Sequence, residues 1–187
     1  MRKSLSLLLA MQLMLSLSYG QFVKKEIPST FSLSLASIIE NYPNNYRLIQ
    51  GELLQPDEDR DIFKSTLELP GATDCVIYRF HSKEDTTASW QGILYEGEEF
   101  KEAVKVYKNC FRNLKQTKFK VGISHYSLDG EMENPSEELR FTTSTLRPVT
   151  YSGLYNNFMA EVEMINSITG WTVRLNLHSR KNDDMRN

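Results

Sequence analysis

CVIYRFHSKEDTTASWQGILYEGEEFKEAVKVYKNCFRNLKQTKFK, residues 75–120, is the stretch that decides the fold. It divides into two short strands, one amphipathic helix and the start of a further strand, and it holds both cysteines of the chain. Over residues 98–115 the apolar side chains Phe100, Ala103, Val104, Tyr107, Phe111 and Leu114 recur at helical three- and four-residue spacing. Lys101, Glu102, Lys105, Lys108, Arg112 and Lys115 fill the remaining positions, so one face of this helix is core and the other is solvent. Glu98 and Glu99 fall in its first turn and Lys115 near its end, as the helix dipole favours.

Working back from the helix, residues 62–69 alternate with Phe63, Ser65, Leu67 and Leu69 on one face, and residues 75–80 return beside them after the turn at Pro70 and Gly71. If Cys75 faces the helix then Ile77 does too, and Val76, Tyr78 and Phe80 line the opposite face. A strand over 89–95 and another over 46–54 complete a first group of four. A helix over 31–42, capped by Ser29 or Thr30 and ended before Pro43, precedes them.

Forward of the central helix, residues 117–126 read as one strand with Phe119, Val121 and Ile123 inward, and residues 138–146 as another. Residues 147–157 form a long connection. The clearest hairpin is the last: Phe158, Ala160, Val162 and Met164 alternate with Met159, Glu161, Glu163 and Ile165. Trp171, Val173, Leu175 and Leu177 alternate likewise with Thr172, Arg174, Asn176 and His178. Glu161 and Glu163 thereby share a face with Arg174. The expected order is α-ββββ-α-ββββ: an α+β two-layer sandwich, its antiparallel sheet of about eight strands covered on one face by two helices. Residues 66–81 and 161–178 echo one another faintly, with too few identities to define a repeat. No family motif is recognised in the chain.

Arg2 and Lys3 precede a largely apolar run over residues 5–17, and Ser18-Tyr19-Gly20 supplies the small residues of a secretory cleavage site. Residues 1–20 are therefore expected to be a signal peptide, residues 21–30 a polar lead-in, residues 31–180 a single α+β domain and residues 181–187 a polar tail. The expected product is periplasmic or secreted, with no transmembrane span once the signal is cleaved. Cleavage leaves 20 basic against 24 acidic residues, a net charge near −4, which gives no general attraction to nucleic acid. In an exported chain Cys75 and Cys110 are expected to form one disulfide that staples the helix to the sheet. There is no Cys-x-x-Cys pair to suggest redox chemistry.

Signatures of catalysis are sparse. His81 with Glu84 and Asp85 offers a histidine and carboxylates on one loop, but the spacing fits no metal motif. Asp57, Asp59 and Asp61 alternate like the opening of a calcium loop and Glu68 falls at its twelfth position. However, Ile62 stands where that loop needs glycine. No Gly-x-Ser-x-Gly elbow or phosphate-binding glycine loop occurs, and His81, His125 and His178 each sit near a strand end without a recognisable partner. No catalytic residue, cofactor or metal ligand is assigned. The expectation is a non-enzymatic exported binding or interaction module. Its partner is a small apolar ligand or a protein, and the candidate ligand-binding residues are Val76, Tyr78, Phe80 and Trp90. Two alternatives stand beside it: a small hydrolase-like enzyme using a loop histidine and carboxylate, and a structural envelope protein that self-associates through the final hairpin.

Overall fold

The computed structural model describes residues 29–81, 86–150 and 153–180. The expected signal peptide, most of the lead-in, the polar tail, and Glu84 and Asp85 lie outside the described residues. Helix α1 (Thr30–Glu40) is followed by short 3-10 turns at Tyr42–Asn44 and Arg47–Ile49. Then come β1 (Gln50–Gln55), β2 (Arg60–Ser65), β3 (Asp74–Phe80), β4 (Ala88–Gly97) and helix α2 (Phe100–Gln116). Five strands complete the order: β5 (Lys118–Val121), β6 (Ser124–Asp129), β7 (Phe141–Pro148), β8 (Phe158–Ser167) and β9 (Gly170–Ser179). The strands form one nine-stranded sheet in the order β1-β2-β3-β4-β9-β8-β7-β6-β5, and every neighbouring pair is antiparallel. The fold is α+β, with two helices and a single antiparallel sheet.

Local chemistry explains the element ends. The Ser29 hydroxyl accepts the Ser32 amide at 3.1 Å and caps α1, satisfying one of its orphan N–H groups. After α1 the backbone turns through left-handed conformations at Asn45 and Tyr46, which delays the first strand to Gln50 rather than residue 46. Tyr46 is itself fully buried and donates its hydroxyl to the Leu177 carbonyl at 3.0 Å, so tertiary packing holds a backbone conformation that a bulky residue disfavours. Helix α2 begins at Phe100, which leaves Glu98 and Glu99 ahead of it and Glu102 as the acid of its first turn.

The second group has five strands, not four. The segment expected as one strand over 117–126 folds back at Gly122 and Ile123, since Val121 pairs with Ser124. Gly122 has φ +62, the conformation that the first residue of such a two-residue hairpin loop adopts at no steric cost to glycine. Ile123, expected to point inward, is fully exposed at the tip.

The final hairpin is central. Strand β9 pairs with β4 on one side and β8 on the other, and β8 pairs with β7, so neither strand offers a free edge. The meander β1–β4 and the meander β5–β9 thus meet at their last strands.

One face of the sheet is apolar. Phe63, Ile77, Trp90, Leu177, Ala160 and Leu146 lie opposite one another across six strands, and Cys75, Gly92, Leu175, Val162 and Ser144 form the adjoining row. Helix α2 contributes Ala103, Tyr107, Cys110, Phe111 and Leu114 to the same core. The Tyr107 hydroxyl meets that of Ser144, and the Trp90 indole N–H donates to the Ser65 hydroxyl at 3.0 Å. A one-residue slip of β9 would turn Trp171, Val173, Leu175 and Leu177 to the other face, at ~1.5–3 kcal/mol for each buried side chain. Hydrophobic alternation therefore fixes the register. Helix α1 packs on β5 and α2, and its Ile39 carbonyl accepts the buried Tyr155 hydroxyl at 3.2 Å.

Candidate functional site: the polar sheet face and its end cleft

The other face of the sheet carries a row that is polar apart from Val76. Lys64, Val76, Gln91, Asn176, Glu161 and Thr145 lie opposite one another in sequence across β2, β3, β4, β9, β8 and β7. The Tyr78 hydroxyl donates to Gln91 Oε1 at 3.3 Å, Gln91 Nε2 donates to Asn176 Oδ1 at 2.7 Å, and the Thr145 hydroxyl donates to Glu161 Oε1 at 3.2 Å. In the neighbouring row Arg174 is paired to Glu163 directly across the β8–β9 ladder, the arrangement that alternation of the last hairpin predicts.

The four expected ligand-binding residues do not come together. Val76, Tyr78 and Phe80 share the polar face, whereas Trp90 stands opposite Ile77 and Leu177 on the apolar face. The cause is register: Ser89, not Trp90, falls opposite Tyr78, and directly opposed residues of an antiparallel pair point to the same side. Val76 is buried between Lys64 and Gln91, and the Arg60 guanidinium lies over the Tyr78 ring at 5.3 Å, so polar neighbours dress this surface. The 147–157 connection does not cover it with Tyr155, which is 2% exposed within the aromatic cluster of Tyr42, Phe119 and Phe158. Leu154 from the same connection is exposed.

Near the end of this polar face sits an ion pair. His178 Nε2 is 2.8 Å from Glu161 Oε2, and His178 Nδ1 is 3.0 Å from the Ser179 carbonyl oxygen. Both partners are acceptors, so the two bonds are made together only when the ring is protonated. Burial works against that charge, but the hydrogen bond and charge of Glu161 outweigh it and raise the His178 pKa. The His178 hydrogen bond likewise lowers the pKa of Glu161 against the cost of burial, with smaller contributions from His178's charge, Thr145 and Arg147.

Beside the pair, where β7 ends and β8 begins, is a cleft of about 170 Å³. Met159, which lies opposite His178 in the β8–β9 ladder, lines it together with Arg147, Val149, Asn157, Phe158 and Arg180. The Arg180 amide donates to the Asn157 carbonyl at 2.6 Å and ties the two sides of the opening together. Tyr155 and Phe158, stacked edge to face at 5.8 Å, give the cleft an aromatic floor anchored on α1 through Ile39. The arrangement offers guanidinium and amide groups at a small, partly apolar concavity.

The remaining expected residues are dispersed. His81 is exposed and faces Asp61 at 3.6 Å, across the ends of β2 and β3. His125 is exposed on β6, opposite Lys120. Asp57 accepts the Glu58 amide and lies 3.9 Å from Arg60. Among the described residues no group of three or more His, Cys, Asp or Glu side chains converges as a metal ion would require. Cys75 and Cys110 are buried and unbridged, and burial raises the pKa of each thiol, which leaves them poor nucleophiles. Among the described residues no helix is long and apolar enough to cross a membrane.

No protein-family model, curated protein or solved structure matches the chain. The ion pair left a trace in the sequence, since Glu161 and His178 occupy polar-face positions of the final hairpin. Arg147 and Arg180 left none, because they come together only when the β7–β8 connection and the end of β9 close on each other.

Proposed function

We propose that the protein is an exported, non-enzymatic binding module that takes a small ligand at the cleft between Arg147, Met159 and Arg180. The observation that carries this reading is the pairing of a concave, partly apolar opening with a neighbouring histidine whose two nitrogens are both engaged. Binding groups converge there. Export is part of the proposal and rests on the charged start, apolar run and small residues of positions 1–20. The architecture is taken to be a two-layer sandwich with both helices on the apolar face, a reading supported by the buried rows on that face and the hydrogen-bonded polar rows on the other. That arrangement leaves the cleft accessible at the sheet end.

The test is the mass of the protein recovered from its host's exported fraction, measured under native and then denaturing conditions. Cleavage after Gly20 and a discrete native mass excess, absent from a Met159→Trp variant that fills the cleft, are the expected results. A bare native chain in both proteins would count against a bound ligand. A chain retaining residues 1–20 would count against export.

A further inference from the structure

We propose that Arg47 and Arg79 form a second site, apart from the cleft, that binds a phosphate group, either free or carried on a small organic molecule.

Geometry is the first argument. Near the end of β3, Arg79 lies on the face of Cys75 and Ile77. Its Nε and Nη2 both donate to Gln50 Oε1, at 2.8 and 2.6 Å, and Nη2 also donates to the Asn45 carbonyl at 2.9 Å. Asn45 and Gln50 bracket the 3-10 turn Arg47–Ile49, so Arg47 stands in sequence between the two groups that hold Arg79. Asn45 is fixed in its turn, since its side chain donates to the Thr86 carbonyl at 3.2 Å and accepts the Ala88 amide at 2.6 Å. Asn45 and Tyr46 keep left-handed backbone, at φ 54 and 55, a conformation that persists in non-glycine residues only where the surroundings enforce it. The guanidinium of Arg79 is thereby pre-oriented, and none of these bonds uses Nη1.

Charge is the second argument. Among the described residues no carboxylate forms an ion pair with Arg47 or Arg79. The acid opposite Arg79 in the β2–β3 ladder is Asp61, whose carboxylate lies 3.6 Å from His81 Nε2. Burial lowers the Arg79 pKa and the charge of Arg47 lowers it further, while a guanidinium keeps its proton. Two like charges, one of them partly desolvated and bonded to neutral oxygens, gain from an anion that both can reach. A tetrahedral phosphate can offer an oxygen to each guanidinium and carries more charge than a carboxylate, whose two oxygens suit a single fork. Leu48, next to Arg47 in the turn and 75% exposed, offers apolar contact to an organic group on the phosphate.

The experiment follows the Arg79 Nε–H resonance by NMR in the full chain, at constant ionic strength, during titration with inorganic phosphate, phenyl phosphate, acetate and chloride. The same titrations are made in an Arg47→Gln variant, which keeps the fold because Arg47 is exposed. Expected is a saturable shift with both phosphates, binding about tenfold or more weaker for acetate, and a loss of about tenfold or more in phosphate affinity in Arg47→Gln. Tighter binding of phenyl phosphate than of inorganic phosphate would assign an organic phosphate, and equal binding the free anion, both upholding the site. Acetate binding as tight as phosphate would overturn the phosphate assignment. Phosphate affinity unchanged in Arg47→Gln would overturn the joint action of the two arginines. No saturable shift, or the same shift with chloride, would overturn the site outright.

Discussion

His178 faces Glu161 through Nε2 and the Ser179 carbonyl through Nδ1, so the protonated ring on the polar face of the sheet bridges β9 to β8. Because the His178 pKa is raised, its stabilising contribution is fully present below the ordinary value of 6.5 and is lost as pH rises through the folded value. Because the Glu161 pKa is lowered, its contribution is present above the ordinary 4.5 and is lost as pH falls through the folded value. The two overlap in full between 4.5 and 6.5. Glu161→Gln is therefore expected to cost about 1 kcal/mol in that window, a partly exposed pair being screened by solvent. Thermal melts from pH 4 to 9 should show a deficit of about 2–4 °C that narrows as His178 loses its proton. A deficit independent of pH would contradict the pairing.

Trp90 and Gly92 are a second coupled pair. A Cβ at Gly92 would stand 2.7 Å from the Trp90 ring, so the glycine is the space in which the indole lies. Gly92→Ala is expected to destabilise by about 1–3 kcal/mol through overpacking. Trp90→Phe loses the bond to Ser65 but shortens the side chain, so the double variant should be more stable than the sum of the two losses predicts. Denaturant unfolding of the four proteins gives the coupling, and strict additivity would show that the ring and the glycine are independent.

The same pair shows where sequence reading reached its limit. Alternation within each strand is local, and it correctly separated Cys75 and Ile77 from Val76, Tyr78 and Phe80 and set Glu163 beside Arg174. Which residue of β4 shares a face with Tyr78 depends on hairpin register, and the 81–87 segment carries no turn signal strong enough to fix it. For that reason Trp90, which the sequence groups with Val76, Tyr78 and Phe80, stands on the other face. Gly122 broke an apparently continuous strand because Ile123 looks like core when it is read by period alone. The cleft was invisible for a longer-range reason, since Arg147 and Arg180 meet only through the closing of β7, β8 and β9.

The cysteines give a prediction in which sequence and structure point different ways. Both thiols are buried and unbridged, and burial holds them protonated. A maleimide is thus expected to leave the folded protein unmodified and to add twice once it is unfolded without reductant. No addition after unfolding, with a mass lower by two hydrogens, would instead establish the bridge that two cysteines in an exported chain suggest.

Position in the sheet sets the last expectation. Strands β4, β9 and β8 are paired on both sides and carry Trp90, Leu175, Leu177, Ala160 and Val162, all fully or almost fully buried. The edges differ from them and from each other. Strand β5 is short and guarded by exposed Lys118 and Lys120, whereas β1 holds Leu53 and Leu54 half-exposed and meets β2 with two register shifts. Local opening costs least where few buried contacts are lost. Amide hydrogen exchange read by mass spectrometry should therefore be slowest in β4, β8 and β9, approaching the global unfolding limit, and fastest in β1. Leu53→Lys should leave the central protection unchanged, because it alters an edge that the core does not depend on. Protection of β1 equal to that of β9 would mean that the edge is covered, by a second copy of the chain or another partner. Its loss on dilution would then identify self-association through β1 rather than through the final hairpin.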